Sequence, residues 1–305
     1  MPQQTEVTIQ EFTIAGPDAG PYALAPGPDG ALWCTLVHGG GIARVTTDGK
    51  VTTYDLDSAS GGPTMITAGA DGALWFTEYK AHRIGRIGTD GRISSFALPT
   101  ENAGPLGIAA GPDGALWFTE SAVDRIGRIT TDGEISEYAL PTAGGFPSVI
   151  AAGPDGALWF TVNQAGGRIG RITVDGDVSL HQLPTPEAGP VGIAPGPDGA
   201  LWFVEIAAGQ IGRISTGGID EFPLPDRQSR PHAIAAGPDG ALWFTEWGAG
   251  RVGRITTDGR IDGYDLPDRA SEPHGIALGP DGALWVALET GSLARIGVGG
   301  PAQPR

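Results

Sequence analysis

The sequence predicts an all-β fold: a seven-bladed β-propeller with four antiparallel strands per blade, the seventh blade closed by the N-terminal strand. Three observations lead there. A Gly-Pro-Asp-Gly-Ala-Leu-Trp string recurs, with small changes, around Trp33, Trp75, Trp117, Trp159, Trp202, Trp243 and Trp285, at spacings of 41 to 43 residues. Each unit divides into four short runs of strand character separated by turn signals. The last unit is one run short, and the amino terminus offers a matching one.

The third unit shows the elements in order. An apolar run at 107–110 leads into 115–119, then 125–130, then 134–140. Pro112-Asp113-Gly114 and Thr131-Asp132-Gly133 separate them and place glycine where a tight connection needs positive φ, so neighbours join as an antiparallel meander. No segment carries a helical period, which excludes the helical solenoids. The seventh unit supplies runs at 275–278, 283–288 and 293–298 and then enters Pro301-Ala302-Gln303-Pro304-Arg305. The 9–14 segment mirrors 135–140, so the two chain ends are expected to share one blade and close the ring. One domain is expected over residues 1–300, with 301–305 as a tail.

Composition narrows the function. With 51 Gly and 26 Pro among 305 residues the chain resembles low-complexity sequence, but 8 Trp and 40% hydrophobic content supply a core. A net charge of −16 with no basic stripe argues against nucleic acid and anionic membranes as partners. Cys34 is the only cysteine, so no intrachain disulfide exists, and the first residues lack the features of a secretory signal. A cytoplasmic monomer without a membrane span is expected.

In a ring of near-identical blades, shared residues serve folding, and function belongs where one copy departs. The repeated Trp, the Arg of Ile-Gly-Arg-Ile and the Asp of Pro-Asp-Gly are therefore structural. So are Glu78, Glu120, Glu205 and Glu246, expected to balance neighbouring arginines. The residue after a fixed Pro varies instead: Tyr22, Thr64, Leu106, Ser148, Val191, His232 and His274. First strands line the channel of a propeller, so these seven converge at one mouth. The residue before that Pro is Gly in four blades, but Phe146, Arg230 and Glu272 in blades four, six and seven. Glu272-Pro273-His274 places a carboxylate and an imidazole together, suited to metal binding or proton transfer, with a structural ion pair as the alternative. Blade seven departs again at Glu289, four residues beyond its Trp where the repeat acids stand at three. Two carboxylates with few nitrogen or sulfur donors suit Mg²⁺ better than Zn²⁺. His38, His82 and His181 have no such placement and are expected at the surface or in packing.

These departures carry a resemblance. Gly20-Pro21-Tyr22, Phe146-Pro147-Ser148, Arg230-Pro231-His232-Ala233-Ile234, Phe244-Thr245-Glu246-Trp247-Gly248 and Glu272-Pro273-His274-Gly275-Ile276 resemble the virginiamycin B lyase (streptogramin B lyase) family over the full chain. The resemblance implies a resistance enzyme that linearises cyclic depsipeptide antibiotics by Mg²⁺-dependent elimination at a threonyl ester. It further implies Glu272 and Glu289 as metal ligands, His274 as general base and His232 as a substrate contact. The first-blade segment Thr35-Leu36-Val37-His38-Gly39-Gly40-Gly41 and the loop Thr290-Gly291-Ser292 depart from the family pattern, which bears on substrate fit. Two other readings stand beside it: a metal-dependent lactone hydrolase of the six-bladed gluconolactonase type, and a non-enzymatic binding propeller.

Overall fold

Each repeat folds as a meander because its first turn is held by its own side chain. In Pro112-Asp113-Gly114 the aspartate Oδ1 accepts the Ala115 N–H at 3.3 Å while Gly114 takes φ of +78°. The same oxygen accepts the Trp117 indole N–H at 3.0 Å, and the other oxygen accepts Arg128 Nε at 2.7 Å. This Asp–Trp–Arg clamp recurs in every blade, from Asp29, Trp33 and Arg44 to Asp281, Trp285 and Arg295. An outer-strand ring covers the indole, as Tyr138 does on Trp117 at 5.6 Å.

The computed structural model describes residues 5–58 and 60–299, and the tail expected at 301–305 lies outside the described residues. Seven four-stranded antiparallel sheets form, each running from an inner to an outer strand in chain order except the seventh. Blade three comprises Pro105–Ala110, Leu116–Glu120, Arg125–Ile129 and Ile135–Ala139. Blade seven comprises Pro273–Leu278, Leu284–Leu288 and Ser292–Val298, completed by Val7–Thr13. The terminal strand pairs residue for residue from Val7 with Val298 to Thr13 with Ser292. Phe12 stacks on Trp285 at 5.4 Å, taking the covering position of Tyr138. The expected closure is therefore present. Among the described residues no helix is long and apolar enough to cross a membrane.

Two features aim side chains into the channel mouth. Every inner strand shifts register just after its first proline, in blade seven between Pro273 and Ile276, so the variable residue sits in a bulge. Neighbouring blades are also joined by threonine hydroxyls. Thr35, Thr77, Thr119, Thr161 and Thr245 donate to the carbonyls of Thr64, Leu106, Ser148, Val191 and His274 in the following blade, at 2.6–2.7 Å. Val204 and Ala287 stand at the corresponding places of blades five and seven.

The blade acids divide into two kinds. Arg83 grips Glu78 through two bonds of 2.7 and 2.8 Å, and Arg251 grips Glu246 at 2.8 and 2.9 Å, as expected. Glu120 and Glu205 depart from that expectation. Both are fully buried; Arg125 lies by Glu137 at 3.9 Å instead of on Glu120, and Gln210 replaces the arginine beside Glu205. Burial above all, with the nearby charges of Glu137 and Glu221, pushes Glu120 and Glu205 up to about 8. Each is thus held as a carboxylic acid near neutral pH.

A folded-state pKa above the unfolded one means that the native state holds the proton and loses stability as pH rises from about 4.5 to about 8. Buried imidazoles act in the opposite direction, but only below roughly pH 6.5. Thermal melts of the protein should therefore fall between pH 6.5 and 8, by an effect on the order of 1–2 kcal/mol per acid. A Glu120→Gln, Glu205→Gln double variant should flatten that slope; an equally steep slope would contradict the assignment.

Candidate active site

The site is built where blade seven leaves the repeat. Leu288 occupies the register position of Glu246, opposite the inner-strand proline, and is buried. The acid is displaced one residue to Glu289, in a shortened hairpin where Gly291 takes φ of +103°. The carbonyl of Gly291 accepts the N–H groups of Ile14 and Ala15 at 2.9 and 3.1 Å, so the incoming terminus braces the hairpin. Glu289 consequently turns to the mouth.

There its Oε2 lies 2.5 Å from His274 Nε2, and its Oε1 lies 2.7 Å from His38 Nε2. A carboxylate accepts, so His274 donates through Nε2–H, and Nδ1 carries the lone pair of the neutral ring. That Nδ1 is buried and has no hydrogen-bond partner. His274 is only 8% exposed, and burial lowers its pKa against the opposing pull of Glu289 and Glu272. For Glu289 burial alone would raise the pKa, but the bonds to His38 and His274 outweigh it and hold the group below the ordinary value.

His232 stands edge-on to His274, ring centres 4.7 Å apart, and its Nδ1 is likewise buried and unpartnered. Burial first, then the neighbouring His274, brings its pKa down to about 3, so the ring is neutral at physiological pH. Tyr22 packs 4.8 Å from the His274 ring, and its hydroxyl lies 3.5 Å from His232 Nε2. Burial, with a contribution from Glu289, pushes the Tyr22 phenol up to about 12. Trp247 closes the opposite side at 6.2 Å from His274, its buried indole N–H also unpartnered.

Glu272 is exposed, and its carbonyl accepts the Glu289 N–H at 3.2 Å, so the two acids are neighbours across the hairpin. Among the described residues no three His, Cys, Asp or Glu side chains form a ready-made cation cage. Two acids whose backbones are bonded, one of them open to water, are of the donor type that suits a cation keeping several of its own waters, as Mg²⁺ does. The donor set is chemically suited to a hard ion.

Of the four residues singled out from the sequence, His232, His274 and Glu289 come together, and Glu272 joins them through its backbone while its exposed side chain lines the neighbouring cleft. His38 was not among them; it reaches Glu289 from blade one with its side chain 54% exposed, instead of serving the surface or packing alone. Only the ring closure, which makes blade one the neighbour of blade seven, would have indicated it. Trp247 and Tyr22 also join the site. His82 and His181 fulfil packing roles, His82 by accepting the Gly104 N–H at 3.2 Å and His181 by stacking on Trp159 at 5.6 Å.

The Thr245 hydroxyl holds the His274 carbonyl at 2.7 Å and tethers the bulge that aims the ring. Thr245→Val preserves shape and removes that bond, together with the one its oxygen accepts from the Ala233 N–H at 3.0 Å. We expect a stability loss of about 1 kcal/mol and a rate loss of roughly tenfold, the scale of a small misplacement of a catalytic group. Steady-state kinetics at unchanged fold would check it, and an unaltered rate would count against the tether.

A propeller with a histidine–carboxylate pair and a second neutral imidazole at its mouth has the framework of an enzyme. Residues 7–296 match the Virginiamycin B lyase family, and the chain belongs to it. A curated virginiamycin B lyase from Streptomyces coelicolor is 62% identical over 48 residues, a stretch covering 15% of this chain and 16% of that relative. The crystal structure of virginiamycin B lyase from Staphylococcus aureus shares 45% identity and a TM-score of 0.91, covering 95% of this chain and 99% of that one. A catalytically inactive histidine-to-alanine variant of the latter, solved with quinupristin, matches equally, at 45% identity, TM-score 0.91 and the same coverage.

Proposed function

We propose that this protein opens the ring of type B streptogramins by elimination at the threonyl ester, and so confers resistance to them. The pairing of His274 with Glu289, which leaves Nδ1 as the buried lone pair, carries this proposal. The inactive histidine variant of the Staphylococcus aureus relative, with quinupristin bound, supports it.

In the reaction His274 Nδ1, covered in the free protein and uncovered as the substrate seats, removes the α-proton of the threonyl unit. The C–H electron pair becomes the Cα=Cβ double bond, the Cβ–O bond breaks, and its pair departs with the ester oxygen as a carboxylate. Glu289 keeps the imidazole in the required tautomer and stabilises the imidazolium that forms. His232, neutral and unpartnered at Nδ1, contacts the substrate and orients the ester. Tyr22 and Trp247 wall the mouth and exclude water, which elimination does not consume. Glu272 and Glu289 would hold a magnesium ion, whose charge, when bound, polarises a substrate carbonyl and makes the α-proton more acidic.

Incubation with a type B streptogramin, followed by mass spectrometry, tests the reaction. Elimination gives a ring-opened product of unchanged mass, whereas a lactone hydrolase adds one water and a binding propeller leaves the ring intact. EDTA should stop turnover and added magnesium restore it, with melting temperature followed in parallel. Turnover indifferent to EDTA would remove the metal from the proposal.

A further inference from the structure

Resting on that proposed function, a second binding element is visible beside the base. Blades five to seven enclose a cleft of about 670 Å³ adjoining the mouth, lined by Arg227, Arg230, Trp247, Arg269 and Glu272 among others. In a chain of net charge −16, three arginines at one cleft form a local reversal of sign. Arg227 is bonded to Gln210, and Arg269 is paired with Asp265. Arg230 differs from both: among the described residues its side chain has neither a carboxylate nor an amide partner, and its guanidinium lies over the Trp247 ring at 5.3 Å.

The backbone reinforces the contrast. Arg230 replaces the rim glycine of blades one, two, three and five, yet keeps their left-handed conformation, at φ of +52° against +65°, +63°, +58° and +65° for Gly20, Gly62, Gly104 and Gly189. A side chain is unfavourable there, and such strain persists at binding and reacting sites. The Arg230 carbonyl accepts the Trp247 N–H at 3.1 Å, fixing the ring beneath the guanidinium. The indole N–H of Trp247 is buried and unpartnered.

We propose that Arg230, seated on Trp247, receives the carboxylate that the ring-opening step releases. The ester is neutral where the linear product carries a negative charge, and Arg230 lines the cleft that adjoins the mouth where that charge develops. A guanidinium with no acid of its own pairs with the departing oxygens and favours Cβ–O cleavage over the reverse. No further reactant enters: the proton resides on His274 and the electron pair on the carboxylate.

Arg230→Gly is the decisive variant, because glycine occupies this place in four other blades and relieves the strain. It should melt at or above the wild-type temperature while kcat falls about 30-fold or more and KM changes little. Calorimetry then uses two probes made without the enzyme: the linear acid obtained by alkaline hydrolysis of the streptogramin ester, and the same chain capped as an amide. The linear acid should bind at least tenfold more weakly to Arg230→Gly, the amide equally to both proteins, and Arg230→Lys should recover part of the loss. Equal losses for acid and amide, or no loss for either, would overturn the assignment. A wild type that fails to turn over the antibiotic, yet still distinguishes acid from amide through Arg230, would refute the proposed reaction and leave the carboxylate site standing.

Discussion

His274→Ala should abolish turnover, with a loss of about 10³-fold or more, while the protein melts within a few degrees of wild type. General base catalysis by a positioned imidazole contributes on the order of 10²–10⁴-fold, and removal of His274 also deprives Glu289 of the donor at Oε2. The backbone role of the residue survives, because it is the His274 carbonyl that Thr245 holds. The change creates a small void facing the mouth, where solvent fills it, so the stability loss stays modest. His274→Ala protein should still bind the intact cyclic substrate, and mass spectrometry should find that substrate unaltered. Turnover at an unchanged rate would remove His274 from the role of base.

Deletion of residues 1–14 is expected to have the largest structural effect. Val7–Thr13 contributes the fourth strand of blade seven, and the strand Ser292–Val298 would be left as an open edge. The deletion also strips Phe12 from Trp285, together with Ile14 and the partly buried Val7 and Ile9, from two core clusters. Loss of several apolar side chains at about 1.5–3 kcal/mol each for full burial implies a fall in melting temperature of roughly 10 °C or more. Activity should disappear with it even where part of the ring persists, because Ile14 and Ala15 brace the hairpin that aims Glu289. Adding the missing strand as a separate peptide should recover part of both losses. A truncated protein that melts and turns over like the full chain would mean that closure by this strand is dispensable.

Most of the fold is legible in the sequence because the repeat makes each blade a control for the others. The missing fourth run of the seventh unit and its counterpart at 9–14 identify the closure without coordinates. Glu272, His274 and Glu289 stand out for the same reason, as departures within one blade. What escapes is contact between residues far apart in the chain and carrying no period. His38 meets Glu289 across 251 positions, through a glycine-rich loop that offers no pattern to compare. Glu120 and Glu205 show the converse limit. Their place in the repeat suggested an arginine partner, but one arginine lies beside a different acid and the other is a glutamine.

The threonine links between blades describe a ring that is not mechanically uniform. They run unbroken from blade one to blade five and again from blade six to blade seven, and they lapse where Val204 and Ala287 stand. The toroid is thus two arcs meeting at two seams, with His232 on one seam, Tyr22 on the other and His274 inside the shorter arc. A bulky guest that widens the opening would be accommodated at the seams, so the walls yield while the base keeps its aim. Amide hydrogen exchange should accordingly be fastest, among inner strands, at Gly192 and Gly275, whose N–H groups lack the threonine acceptor that holds Ala23 and Ala233.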